Sequence, residues 1–211
     1  MASHYEDEAE VENLKRWWKE NWKSLAAGLV IGLLGIFGYE GYKRHQLSVA
    51  EQASQMYEDL KTAAGAKKTD EAVALGDKLV KDFASTPYAS GASLRLAQLA
   101  VEQNKLDDAV TRLQWVADHG KDDGLRDLAK LRLARVLWQQ KKTDEALKLL
   151  DGDHGAYAAL FSELRGDIKL STGDRMAARA AYEDAVKATG EGASAAGLQR
   201  KLDDLADVVK S

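Results

Sequence analysis
The residues best suited to metal binding or proton transfer are four histidines, His4, His45, His119 and His154. They are scattered, and none stands at a spacing that would present two ligands to one ion. The chain has no cysteine, which excludes disulfides, thiolate catalysis and thiolate metal sites and fits an oxidising compartment. It has no glycine-rich loop ending in Lys-Ser/Thr to cradle a phosphate, and no serine in a nucleophile elbow. Acids outnumber bases, 34 to 30, for a net charge of −4, which gives no support to nucleic-acid binding. Carboxylates at this density read as solvated helix faces. The expectation is a protein with no catalytic residue, metal or cofactor, whose chemistry is binding.

Two patterns could bind. The first lies near the N-terminus, where Lys15, Arg16, Lys19 and Lys23 interleave with Trp17, Trp18 and Trp22. Basic residues among tryptophans suit nucleic acid or a membrane interface. The interface is the better reading, because an apolar run, Leu25–Tyr39, follows at once with no charge in fifteen positions. Fifteen helical residues cover about 22 Å, whereas Trp22 to Tyr42 reaches about 31 Å, near the thickness of a bilayer core. The tryptophans then mark one interface and Tyr39 and Tyr42 the other. Glu40 must lie at the outer interface, beside Arg44 one turn on.

A buried soluble helix, a cleaved signal peptide and a re-entrant segment compete with this reading. The run is apolar on every face and rich in glycine, unlike a soluble helix. Six acids precede it and no small-x-small cleavage site follows. An uncleaved single span is therefore expected: residues 1–23 a cytoplasmic tail with an amphipathic interfacial helix, 24–42 the transmembrane helix, and 43–211 a domain beyond the membrane. Residues 1–10 read as a flexible acidic tail. Four bases before the run against two shortly after it, Lys43 and Arg44, put the N-terminus in the cytoplasm and, in a bacterial inner membrane, the domain in the periplasm. Gly28, Gly32 and Gly35 share one face of the span and would let a partner helix approach closely.

The second pattern is a repeat. Thr69-Asp-Glu-Ala72-Val, Leu106-Asp-Asp-Ala109-Val and Thr143-Asp-Glu-Ala146-Leu follow one another at 37 residues, and Gly173-Asp174-Arg-Met-Ala-Ala178 follows at 32. Each is preceded by a helical segment and a polar turn. Thr, Asp and Glu suit the start of a helix, and the alanine lets that helix press against the one before it. Such hairpins stack into a solenoid, since none buries its apolar face alone. The expected pairs are 47–64 with 70–84, 88–103 with 107–119, 124–140 with 144–151, and 157–171 with 175–188. Pro87 opens the second pair at a first helical position. A last helix over 194–210, with Leu198, Leu202, Leu205 and Val209 on one face, would cap the stack. The fold class is thus all-α: one N-terminal transmembrane helix, an α-solenoid of about four hairpins and a C-terminal capping helix. A single proline in the chain agrees.

In such a stack the first helices line the concave side. Matching the repeats directs Tyr57 and Lys61 of the first pair there, with Leu94, Gln98 and Val101 of the second. Leu131, Arg135 and Trp138 follow from the third, and Glu163 and Asp167 from the fourth. Aromatic and arginine side chains in a groove are plausible anchors for a partner. Leu94, Leu131 and Trp138 are equally suited to packing against the cap or a neighbouring turn.

The segment Leu164-Arg-Gly166-Asp through Gly173-Asp174 to Ala178, Tyr182 and Ala185 resembles the tetratricopeptide repeat. Ala97, Ala109 and Leu113, then Ala134, Ala146 and Leu150, match it too. The first pair is degenerate, with Leu60 and Gly76 where a small and a bulky residue are usual. Over its whole length the chain resembles the YfgM family, ancillary subunits of the bacterial SecYEG translocon. The resemblance rests on Tyr5-Glu-Asp-Glu, Val11-Glu-Asn-Leu-Lys-Arg-Trp-Trp, the glycine-rich span, His45-Gln46 and Leu131-Arg-Leu-Ala-Arg135-Val. It implies a one-span inner-membrane protein with a periplasmic repeat domain. It also implies association with the translocon and with the membrane-anchored periplasmic chaperone PpiD, help for secreted client proteins, and no catalytic residues. A periplasmic scaffold for envelope or cell-division machinery, and a cytoplasmic client receptor of inverted topology, are the alternatives.

Overall fold
In the computed structural model, which describes residues 2–189 and 193–207, the regular elements are helical throughout. They are α1 (Ala2–Gly65), α2 (Thr69–Asp82), α3 (Pro87–Glu102), α4 (Leu106–His119), α5 (Asp123–Gln139), α6 (Thr143–Leu149), α7 (Ala158–Ser171), α8 (Arg175–Thr189) and α9 (Ala193–Asp207). A 3-10 turn, Gly155–Tyr157, precedes α7. The chain divides into two compact units, Met1–Glu51 and Gln52–Ser211.

The first unit is helical from Ala2 onward, so the expected flexible tail, interfacial helix and span are stretches of one helix, α1. No proline interrupts it, and no glycine occurs before Gly28. Its apolar stretch is long enough to cross a membrane and none of it is buried against protein. Leu29, Ile31, Leu34 and Phe37 are each about two-thirds exposed, as is expected of side chains that meet lipid. Trp17, Trp18 and Trp22 are exposed before it, and Tyr39 and Tyr42 after it. Arg44 Nη2 donates to Glu40 Oε2 at 3.3 Å, the expected pairing.

In the second unit, residues 52–65 of α1 pair with α2, and α3–α4, α5–α6 and α7–α8 form the next hairpins. The repeat governs their closure. Lys67, Asn104, Lys141 and Gly173 hold φ of +59°, +59°, +65° and +83°, at the spacings of the sequence repeat. After each, an amide reaches back across the turn: Lys68 N to Ala63 O at 2.9 Å, Lys105 N to Ala100 O at 2.8 Å, Lys142 N to Leu137 O at 2.9 Å and Asp174 N to Lys169 O at 3.0 Å. A left-handed residue closing a helix in this way satisfies carbonyls that the helix end would orphan. The threonines of the repeat start α2 and α6 but do not cap them. Lys68, Lys105 and Lys142 occupy the cap positions without a side-chain bond, and the acids Asp70, Glu71, Asp107, Asp108, Asp144 and Glu145 act on the positive helix end instead.

Ala72, Ala109, Ala146 and Ala178 are wholly buried, which is the close helix approach their size was expected to allow. The degenerate first hairpin has a reciprocal fit. A Cβ on Gly76 would stand 2.5 Å from Leu96 Cδ1 and 3.0 Å from Leu60 Cδ1, so the missing side chain makes room first for Leu96 of α3 and then for Leu60. The fourth hairpin reverses the roles, Gly166 making room for Tyr182. At the C-terminal end Leu198 and Leu205 of α9 are buried with Tyr182 and Ala185 of α8, with Leu202 packed beside them. Val209, expected on the apolar face of the last helix, lies outside the described residues.

Candidate partner-binding groove
Helices α3, α5 and α7, the first of their pairs, present two adjoining concavities. The first, about 450 Å³, lies between two stripes at helical spacing: Leu94, Gln98 and Val101 on α3, and Arg132, Arg135 and Gln139 on α5. Ala97, Leu113 and Val136 form its floor. The second, about 640 Å³, is framed by Arg135, Trp138 and Gln139 of α5 and by Leu164, Asp167 and Ser171 of α7, with Lys141 and Thr143 at the turn. Arg135 and Gln139 belong to both, so the two run together along α5. An apolar floor with a few polar groups is the usual make-up of a binding cleft.

The residues expected in the groove divide three ways. Leu94, Gln98, Val101, Arg135, Trp138 and Asp167 line it. Leu131 does not: it is 1% exposed, in one apolar cluster with Phe161 and Leu164 of α7, because α5 has a hairpin on either side. The solvent-facing stripe of α5 is one residue further on, at Arg132. Tyr57 and Lys61 lie outside both concavities. Tyr57 packs 5.9 Å from the Tyr88 ring, and Lys61 sits 5.7 Å above Tyr57 while pairing with Glu58 at 2.8 Å. Arg132, Gln139, Leu164 and Lys141 were missed. The Leu-Arg-Leu-Ala-Arg motif held the signal for the first, since arginines three apart share a helix face.

Glu163 and Asp167 are held by the cap. Lys201 of α9 reaches Glu163 at 2.8 Å and Asp167 at 2.6 Å, and Tyr182 Oη donates to Asp167 Oδ1 at 2.8 Å. Burial lowers the Lys201 pKa, but hydrogen bonds to Asp167 and Glu163 outweigh it and the net shift is upward. Tyr182 is pushed well up, first by burial and then by its bond to Asp167. The cap therefore meets the groove lining at Asp167, through a polar cluster of Glu163, Asp167, Tyr182 and Lys201.

On α1, a Cβ at Gly28, Gly32 or Gly35 would meet nothing within 4 Å, so that face is open. His154 is buried, stacked on Phe161 with ring centroids 3.5 Å apart and near Asp127 at 3.5 Å. Among the described residues no three His, Asp or Glu side chains gather as metal ligands.

Comparison with known proteins covers nearly the whole chain. A family model described as a tetratricopeptide repeat-like domain matches residues 15–207. A protein of Escherichia coli (strain K12) named ancillary SecYEG translocon subunit is 37% identical over 203 residues, 95% of this chain and 98% of its own. Proteins of the same name are 32% identical in Neisseria gonorrhoeae, over 97% of this chain and the full length of the relative, and 31% identical in Haemophilus influenzae, over 88% and 91%. No solved structure matches.

Proposed function
The chain belongs to the tetratricopeptide repeat-like family of the ancillary SecYEG translocon subunits, and on that premise we propose that it is a non-enzymatic accessory subunit of the export translocon. The observation that carries the proposal is similarity across both units at once, the apolar helix as well as the repeats, over 203 residues. Shared repeats alone would point only to a common binding scaffold. In this reading residues 24–42 cross the inner membrane once, 1–23 remain cytoplasmic and 43–211 stand in the periplasm. The Gly28, Gly32 and Gly35 face meets a partner helix in the bilayer. The groove on α3, α5 and α7 binds periplasmic protein segments, from a membrane-anchored chaperone such as PpiD or from secreted clients.

Two measurements test this. Purification in mild detergent is expected to recover SecY, SecE and SecG with the chain; recovery of cell-wall or division enzymes alone would replace the export role by that of an envelope scaffold. In the cysteine-free chain, Ser211→Cys is expected to react in intact cells with a reagent confined to the periplasm. Labelling only after lysis would place the domain in the cytoplasm.

A further inference from the structure
The groove differs from the rest of the molecule in its arginines. The chain has eleven. Nine donate to a carboxylate, an amide or a carbonyl oxygen, from Arg16 with Asn13 to Arg200 with Ala196. Arg132 and Arg135 are the two that pair with nothing among the described residues. They stand one turn apart on α5, as like charges on one helix face, an arrangement that is unfavourable when nothing neutralises it. No acid lines the first concavity, which both border; Asp167 lines the second together with Arg135 but is held by Lys201 and Tyr182. A lone solvated arginine on a surface is ordinary; two without partners on the edge of an apolar floor, in a chain of net charge −4, form a local field of opposite sign to the whole.

We propose, building on the groove as a partner site, that its occupant is an acidic amphipathic protein segment. A bulky apolar side chain of that segment enters between Leu94 and Val101 onto the floor of Ala97, Leu113 and Val136, and Asp or Glu residues within a turn of it are held by Arg132 and Arg135. The guanidinium fork matches a carboxylate in two parallel hydrogen bonds. The apolar floor calls for an apolar anchor beside that charge, because a bare anion would leave the floor wet. A basic segment is disfavoured at the same place by like charge, so the pair also selects against wrong partners. A volume of about 450 Å³ suits one large side chain with its flanking backbone, within the usual range for ligand pockets.

The full-length protein in mild detergent is titrated with fluorescent peptides and read by anisotropy. One peptide carries Leu and Phe flanked by Asp and Glu; in the others the acids become Asn and Gln, or Lys, or the apolar pair becomes Ser. The acidic-apolar peptide is expected to bind about tenfold or more tightly than the neutral one, with an affinity that falls as salt rises. Arg132→Gln with Arg135→Gln, both at exposed positions, should erase that preference without changing the melting temperature. Arg132→Glu with Arg135→Glu should transfer it to the Lys peptide. Equal binding of acidic and neutral peptides, binding undiminished in the Gln variant, or no peptide bound at all would overturn the proposal. A Ser peptide binding as well as the apolar one would mean a simple anion site and would overturn it too. Copurification of the wild-type chain with the translocon is scored separately, so loss of peptide selectivity with the translocon retained refutes this inference and leaves the export reading standing.

Discussion
Gly166 offers a direct test of how the fourth hairpin is packed. A Cβ there would stand 2.4 Å from Tyr182 Cε1, 2.5 Å from Cδ1 and 3.0 Å from Cζ. The ring is poorly placed to yield. Tyr182 is 1% exposed, its hydroxyl is tied to Asp167, and Lys201 Nζ lies 5.3 Å above its face. Overpacking of this kind costs about 1–3 kcal/mol, and contact with two ring carbons argues for the upper half. Replacing glycine by alanine in a helix returns about 1 kcal/mol. Gly166→Ala should therefore destabilise by about 1–2 kcal/mol, or roughly 2–8 °C in Tm for a domain of this size. Gly197→Ala, in α9 with nothing within 4 Å of the added carbon, serves as the control and should gain up to about 1 kcal/mol. Urea unfolding of the full chain in mild detergent, followed by amide exchange in α7 and α8 so that α1 does not dominate the signal, measures both. Two changes of the same sign would refute the steric argument. So would a Gly166→Ala/Tyr182→Leu double variant whose effects simply add, since residues in contact should couple by about 0.5–3 kcal/mol.

Ala109→Leu should cost about 1–3 kcal/mol by forcing α4 away from α3, because Ala109 is wholly buried; thermal melts read the loss. Lys141→Gly should stabilise by about 0.5–1 kcal/mol, since the lysine holds φ +65°, where glycine pays no steric penalty. The same change at Asn104 should gain less, asparagine being more tolerant of that region. High pH should loosen the cap. Lys201 and Tyr182 both have folded pKa values above their ordinary ones, so their contribution is complete below about pH 10 and is lost as pH rises through the folded values. Melting curves taken from about pH 9 to 11.5 should fall in the wild type and flatten in Lys201→Met, whose remaining slope belongs to Tyr182.

The helical hairpins were legible because the alanine at each second helix recurs at a constant interval, and a small residue at a close crossing admits few substitutes. The course of α1 was less so. Composition separates tail, interface and span by the solvent each prefers, yet backbone hydrogen bonding has no reason to stop at those borders when neither proline nor an early glycine intervenes. The groove was half legible. Repeat alignment carried Leu94 correctly and then transferred its exposure to Leu131, although a position in a central hairpin is shielded from both sides. Repetition conserves the register of a residue without conserving its surroundings. Glu163 and Asp167 likewise showed their helix but not their partner, since Lys201 comes from an element outside the repeat.

The left-handed turns at Lys67, Asn104, Lys141 and Gly173 bear on the order in which the domain is made. Each closes its hairpin with bonds between residues five apart in sequence, so a hairpin needs nothing beyond itself and its neighbour to take shape. Such a low-contact-order chain folds fast and can nucleate anywhere along its length. A chain emerging from its N-terminus can thus lay down one hairpin upon the last, without waiting for a distant strand to arrive. Only the final step depends on the whole: Lys201 must be present before Glu163 and Asp167 gain their cation, so the polar cluster is completed only when α9 arrives.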